Sequence, residues 1–204
     1  MRIVLASSSP SRLSILRSAG VEPIVRVSHV DEPAAAAELD DPTPAEYVQH
    51  LAAAKAEAVV GEDGVIIGGD SMLLIDGELQ GKPHTEQETI ARWQRQRGRT
   101  AELITGHALL LVEGGRVVDR YQETAATTIH FADATDADIA AYAATGEPFG
   151  CAGAFTLEAL GGWFIDRIEG DPSSVIGLSL PVVRRGLAAF GYGVSDFWNR
   201  TEGH

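Results

Sequence analysis

Asp70 and Lys82 stand on either side of a hairpin in the stretch Val65 to Pro83, whose remaining residues read as strand and turn. The apolar run Val65-Ile66-Ile67 leads into Gly68-Gly69 and then Asp70, and a second apolar run, Met72 to Ile75, ends at Asp76-Gly77. That dipeptide is a hairpin signal. An acid between two strand-like runs has no packing reason to be there, and paired glycines let a backbone or a ligand approach closely. A carboxylate and an ammonium on either side of a hairpin suit a site for phosphate and a metal. A surface bulge followed by an ordinary loop lysine would leave the same residues.

Two further stretches carry candidate chemistry. Ser7-Ser8-Ser9-Pro10 joins a strand-like run, Arg2 to Ser7, to a helical pattern through Leu13, Ile15, Leu16 and Ala19, stopped at Gly20. Free backbone N–H groups and hydroxyls converge at such a loop and suit an anion; serine is also a preferred cap whatever the function. Arg12, in the first helical turn, opposes the helix dipole and so favours an anion beside it. Lys55 is the third candidate. It falls on the apolar stripe Tyr47, Val48, Leu51, Ala54, Ala58 of a helix that Thr43-Pro44-Ala45-Glu46 starts with a capping box. A lysine on an inward stripe either snorkels to solvent or borders a cleft. If the second holds, Lys55→Met removes a charge at little cost to packing or melting temperature.

The elements that would position these residues follow a mixed α/β order. Glu22 to Val30 alternates as a second strand, and residues 33–42, rich in proline, alanine and acids, read as a mobile loop. After the central hairpin come a helix from Thr85 to Arg97, long strands over Ala101–Val112 and Val117–Phe131, and a short helix from Thr135 to Gly146. A glycine-rich block, Gly150 to Gly162, precedes a strand at Trp163–Ile168, the turn Gly170-Asp171-Pro172, a last helix over Val182–Phe190 and a polar, frayed tail. Trp93 and Trp163 fall on apolar faces and are expected in the core. With 204 residues the chain makes one large domain or two small lobes.

A net charge of −13 argues against binding a nucleic-acid polymer or an anionic membrane, whose phosphates need a basic face. It leaves room for a small phosphate ligand held by a few local cations. Cys151 is the single cysteine, so no internal disulfide forms, and no stretch reaches the length of a membrane span. A cytoplasmic location is the default expectation. Gly77 to Pro83 lacks the glycine spacing and the Ser/Thr of a P-loop, and the chain has no GxGxxG after a strand, no HExxH, no paired-cysteine zinc pattern and no GxSxG elbow.

Taken in order, these segments resemble one family. Leu5-Ala6-Ser7-Ser8-Ser9-Pro10-Ser11-Arg12 resembles the LASxSPRR opening of the Maf nucleotide pyrophosphatases. The likeness continues at Val30-Asp31-Glu32, Lys55-Ala56, Gly69-Asp70-Ser71, Gly81-Lys82-Pro83, Thr105-Gly106, Ala152-Gly153-Ala154-Phe155, and Gly170-Asp171-Pro172 through Leu180. The resemblance implies a single Maf-like domain over residues 1–204, with an elongated, twisted mixed sheet flanked by helices and a cleft between two lobes. It implies hydrolysis of a nucleoside triphosphate to the monophosphate and pyrophosphate, with Mg²⁺ or Mn²⁺. Asp70 matches the catalytic aspartate, and Ser7, Arg12, Glu32, Lys55 and Lys82 match positions that handle phosphate and metal, Glu32 and Asp70 being the metal positions. Glu32 has no local signal of its own. A homodimer is a family expectation. A nucleotide-binding regulator of septum formation, acting without essential catalysis, is the alternative the family name carries.

Several positions depart from the family pattern. Ser11 replaces the first arginine of SPRR, Ser71 the threonine of ADT, and Glu158 stands where the subgroup acting on dTTP and UTP has glutamine. Those positions line the family's base-recognition region. An ionised glutamate only accepts hydrogen bonds, which suits the donor edge of guanine. Cys151-Ala152-Gly153 with Glu158 resembles the subgroup acting on 7-methyl-GTP, a house-cleaning substrate. Ser179 stands in the usual GLPL run, giving GLSLP.

Overall fold

The computed structural model describes residues 1–199; the polar tail expected to fray lies, from residue 200 on, outside them. Seven strands pair in the order β2-β1-β3-β5-β6-β7, with β4 paired to β3. They are β1 (Ile3–Leu5), β2 (Ile24–Val25), β3 (Gly64–Ile75), β4 (Glu78–Gln80), β5 (Thr100–Glu113), β6 (Arg116–Phe131) and β7 (Ile165–Glu169). β1 runs parallel to both β2 and β3, while β3–β4 and β6–β7 are antiparallel. The sheet is mixed, with helices α1 (Pro10–Ser18), α2 (Glu32–Ala36), α3 (Pro44–Glu57), α4 (Glu86–Gln96), α5 (Asp136–Ala144), α6 (Pro172–Ile176) and α7 (Leu180–Ala189).

The chain divides into two compact units. The first comprises residues 1–70, 105–125 and 177 onward; the second comprises 71–104 and 126–176. The first has a core of Val4, Ala6, Ala52, Ala56, Ile66, Ala108, Leu110 and Val112. Small alanines dominate it because α3 lies close on the strands. A side-chain carbon added at Gly68 would sit 2.2 Å from the Ala52 carbonyl oxygen, and one at Gly106 would sit 2.4 Å from that of Val48. Only hydrogen fits at either position. The second unit is built on aromatic rings: Trp93 packs edge-on against Phe131, Tyr142 and Phe164 at 5.4–5.8 Å, and its indole N–H donates to the Ala154 carbonyl. Such edge-to-face pairs add to plain area burial.

The starts of the helices obey the capping logic. Thr43 and Glu46 form the expected reciprocal box, Ser9 and Thr85 accept from the third helical N–H, and Pro44 occupies the first turn. The β3–β4 hairpin turns at Asp76-Gly77, both with positive φ, as a two-residue turn of this hand requires.

Five expectations are corrected. Gly68-Gly69 does not interrupt a strand: β3 runs unbroken from Gly64 to Ile75 with Asp70 inside it. The expected strand over Glu22–Val30 reduces to Ile24–Val25. Residues 33–36, read as the start of a loop, belong to α2, because Asp31 caps the Ala34 N–H and Pro33 suits a first turn. Trp163 is 84% exposed on a 3-10 turn, Leu160–Phe164, and the neighbouring Phe164 takes the inward place. The last helix begins at Leu180, two residues before the expected Val182, because Ser179 caps it and Pro181 fits its first turn.

The close approach at Gly68 gives a stability prediction. Gly68→Ala forces α3 off β3 and should cost about 1–3 kcal/mol or more, the usual penalty of overpacking. Gly77→Ala meets nothing within 4 Å and should cost only about 1–2 kcal/mol for its left-handed backbone. Urea denaturation of both variants checks the order. Equal midpoints would show that α3 yields freely.

Candidate active site

The strand period places Asp70. Side chains two apart on a strand share a face, so Asp70 points the same way as Gly68, toward α3. On α3, Ala52, Lys55 and Ala56 lie on one face by the helical period. The contact of Gly68 with Ala52 and Ala56 therefore brings Lys55 onto Asp70. Lys55 Nζ donates to Asp70 Oδ1 at 2.6 Å and lies 2.8 Å from Glu32 Oε1. Lys55 and Asp70 are each more than nine-tenths buried, while the Glu32 side chain is about half exposed. Glu32 opens α2, which is held to α3 by His50 Nε2 against the Ala35 carbonyl at 3.0 Å. One ammonium thus joins two carboxylates, the three groups standing on three separate elements. Lys55 does not snorkel.

The second Asp70 oxygen, Oδ2, is buried and finds no hydrogen-bond partner among the described residues. A buried carboxylate oxygen left in that state is costly, so its environment favours a water, a cation or a donor brought by a ligand. Tyr47 lies two turns before Lys55 on α3, and burial, then Asp70 and Glu32, raise the pKa of its hydroxyl. The spacing along the stripe already marked Tyr47 as a neighbour of Lys55; nothing marked it as part of this cluster.

The face of β3 opposite Asp70 carries Arg12. A side-chain carbon at Gly69 would meet Arg12 Nε at 3.4 Å, so the guanidinium lies against the strand backbone. Its Nε donates to the Gly177 carbonyl at 2.7 Å and one terminal nitrogen to Ser7 Oγ at 3.3 Å. Ser7 is buried and also accepts from the Ser9 N–H at 3.1 Å. Loss of hydration lowers the Arg12 pKa, and the carboxylates of Asp70 and Glu32 act against that shift. Ser11 sits beside Arg12 in the first turn of α1. The structure therefore brings Ser7, Ser11, Arg12, Glu32, Lys55 and Asp70 into the first unit.

Lys82, Ser71 and Glu158 belong to the second unit. Lys82 is exposed and follows Gly81, whose carbonyl accepts from the Gly153 N–H and from Arg92. Those bonds tie the Lys82 loop to the glycine-rich block. Cys151 lies in that block. Its thiol is pushed up to about 11 by burial first and then by Glu158 and Glu147, with Lys82 acting in the opposite direction, so it is an inert thiol rather than a nucleophile. Glu158 is exposed and accepts from the Leu157 N–H at 3.1 Å. The loop that presents it is organised by Glu147, whose carboxylate takes the Thr156 hydroxyl and the Leu160 and Gly161 N–H groups. An acid at 147 gives no sequence signal for that task, because its partners lie 9–14 residues away.

Among the described residues no group of three or more His, Cys, Asp and Glu side chains converges as a metal cage, and no helix is long and apolar enough to cross a membrane. Glu32 and Asp70 together offer two hard oxygen donors.

The first unit thus holds a buried acid–lysine pair at a glycine contact, a serine loop and a desolvated arginine. The chain belongs to the Maf-like protein family, whose pattern matches residues 2–190. It is 67% identical over 201 residues to a Corynebacterium diphtheriae protein named nucleoside triphosphate pyrophosphatase, covering 98% of this chain and 99% of that one. Proteins of the same name from Corynebacterium efficiens and Saccharopolyspora erythraea are 66% and 56% identical, covering 98% and 97% of this chain and 100% and 97% of theirs. Among solved structures, the Staphylococcus aureus Ham1 protein has a TM-score of 0.43 at 16% identity, over 65% of this chain and 73% of that one, which adds nothing to the family assignment.

The Lys55–Asp70 pairing replaces the expectation that Lys55→Met leaves the melting temperature almost unchanged. Removing one partner of a buried pair strands the other charge, at about 3–5 kcal/mol. Lys55→Met should lose stability on that scale, and Lys55→Met/Asp70→Asn should recover more than half of the loss. Guanidinium denaturation of both variants checks this; additive losses would show that the two side chains are not coupled.

Proposed function

We propose that this protein hydrolyses a nucleoside triphosphate to the nucleoside monophosphate and pyrophosphate, with Asp70 activating the attacking water or holding the metal. The observation that carries the reading is Asp70 itself. It is a buried carboxylate with one oxygen held by Lys55 and the other without a partner among the described residues, on the strand where a close helix contact fixes it. The curated relatives, alike over nearly their whole length, are named for this activity.

The reaction adds one water across the bond between the α- and β-phosphates. The water oxygen bonds to phosphorus, the bridging oxygen leaves with pyrophosphate, and the water proton passes to a base. The Asp70 carboxylate is that base, and such a positioned base contributes about 10²–10⁴-fold. Lys55 holds the carboxylate by one oxygen and orients it before substrate arrives. Arg12, Ser7 and the first-turn N–H groups of α1 supply donors for phosphate oxygens. Without them a polyphosphate would be repelled by a chain of net charge −13. Glu32 and Asp70 would hold a Mg²⁺ or Mn²⁺ ion, for which two carboxylates plus substrate phosphates and water are a usual set. When bound, that ion supplies charge neutralisation on the phosphates.

In the second unit, Lys82 adds a cation for phosphate and Glu158 an acceptor for a base edge that donates. Ser11 and Ser71 keep the base-recognition role the resemblance gives them. Guanine-type bases, 7-methylguanine among them, match an acceptor better than uracil or thymine do.

Incubation with Mg²⁺ and a panel of normal and modified nucleoside triphosphates should release pyrophosphate and monophosphate. Orthophosphate with diphosphate, or no turnover of any member, would overturn the assignment. The base reading has its own check. Glu158→Gln with Ser11→Arg and Ser71→Thr should raise the kcat/KM ratio of UTP over 7-methyl-GTP at least tenfold, about 1.4 kcal/mol, within reach of one unmatched buried hydrogen bond. A wild-type protein that already prefers UTP or dTTP contradicts it.

A further inference from the structure

His107 is fully buried on β5 and takes no part in the chemistry described so far. Its Nε2 lies 2.8 Å from the Ser179 backbone nitrogen, and its Nδ1 lies 3.2 Å from the Glu123 carbonyl oxygen. A backbone N–H can only donate and a carbonyl can only accept. The ring is therefore neutral, with its proton on Nδ1 and its lone pair on Nε2. The backbone of His107 is fixed as well, since its carbonyl accepts from Gln49 Nε2 on α3 at 2.8 Å, and Gln49 Oε1 accepts from Thr124 at 3.2 Å.

Ser179 is the end of a three-residue link to the phosphate site. Its hydroxyl caps α7 through the Val182 N–H, and two residues earlier Gly177 offers the carbonyl that holds Arg12 Nε at 2.7 Å. Gly177 has φ +127°, a backbone that other residues rarely adopt, and a side-chain carbon there would lie in ordinary contact with Arg12 at 3.5 Å. Serine, in place of the proline of the usual GLPL run, brings a backbone N–H to a buried position, and that N–H needs an acceptor. The imidazole is that acceptor.

We propose that His107 is a positioning residue for the phosphate-binding arginine. Its neutral imidazole anchors the Gly177–Ser179 link, the link presents the Gly177 carbonyl, and that carbonyl sets the direction of the Arg12 guanidinium. The inference rests on the reading of Arg12 as a phosphate ligand. It differs from that reading in that the anchor acts on Arg12 whether or not nucleotide is present.

Two substitutions separate the two bonds of the ring. His107→Asn keeps a donor where Nδ1 stands and loses the acceptor at Nε2; His107→Gln places an amide oxygen near the Nε2 position. In nitrogen-15 spectra of the substrate-free protein, the Arg12 Nε–H should exchange slowly with solvent in wild type and His107→Gln. In His107→Asn it should exchange at least tenfold faster, the equilibrium effect of losing one buried hydrogen bond. Affinity for an α,β-methylene nucleoside triphosphate, by calorimetry, should fall about tenfold in His107→Asn, and KM should rise more than kcat falls. His107→Gln should bind within threefold of wild type. In an Arg12→Ala background, His107→Asn should weaken binding no further. An unchanged Arg12 exchange rate in folded His107→Asn overturns the proposal, as does an equal loss of affinity with and without Arg12. If His107→Asn does not fold, Ser179→Pro, which removes the donor, serves in its place with the same outcomes. A wild-type protein with no pyrophosphate release and no affinity for the analogue defeats the functional reading, and the exchange measurement still decides the positioning.

Discussion

One ammonium group between two carboxylates sets the terms for the rest of the first unit. Lys55 meets Asp70 at 2.6 Å and Glu32 at 2.8 Å with little water around it. Burying such a charge cluster is costly unless its geometry is good, and the geometry comes from the backbone. α3 reaches β3 only because Gly68 has no side chain, and β5 only because Gly106 has none. The alanine-rich core follows from the same approach. Larger residues at 52 or 56 would hold the helix away and leave Asp70 without its cation.

That arrangement also solves an electrostatic problem. A chain of net charge −13 that binds a polyphosphate, as proposed, needs cations fixed in position. Lys55 is tied to acids and cannot swing away, and Arg12 is pinned between Ser7 and the Gly177 carbonyl. Rigid, partly dehydrated cations interact more strongly with phosphate than the exposed ion pairs spread over the surface, such as Arg17–Glu22 or Arg95–Glu78, which contribute little. Preorganised charge of this kind stabilises developing negative charge without rearrangement.

Asp70 was legible in the sequence because an acid between apolar runs is a misfit that packing does not explain, and Lys55 because a lysine interrupts an apolar stripe. The helix starts were legible because capping is local. Glu32 was not, because α2 is five residues long and too short to show periodicity; its place depends on the bond of His50 to Ala35, fifteen residues apart. Trp163 was misassigned because alternation alone cannot say which of two adjacent aromatics turns inward, and Phe164 does. His107 gave no sign, because its meaning lies in Ser179, seventy-two residues away, and through it in a contact to Arg12 across 165 residues. Local signals find the misfit residue; the residue that holds it in place is found only in three dimensions.

Single-turnover hydrolysis by Asp70→Asn, measured beside its affinity for an α,β-methylene nucleoside triphosphate, tests the central claim most directly. Asparagine keeps the shape and removes the base. The account predicts that pyrophosphate release falls by about 10²–10⁴-fold, the contribution of a positioned base, while analogue affinity per folded molecule stays within roughly tenfold, about 1.4 kcal/mol. Turnover near the wild-type rate in a correctly folded Asp70→Asn protein would contradict it.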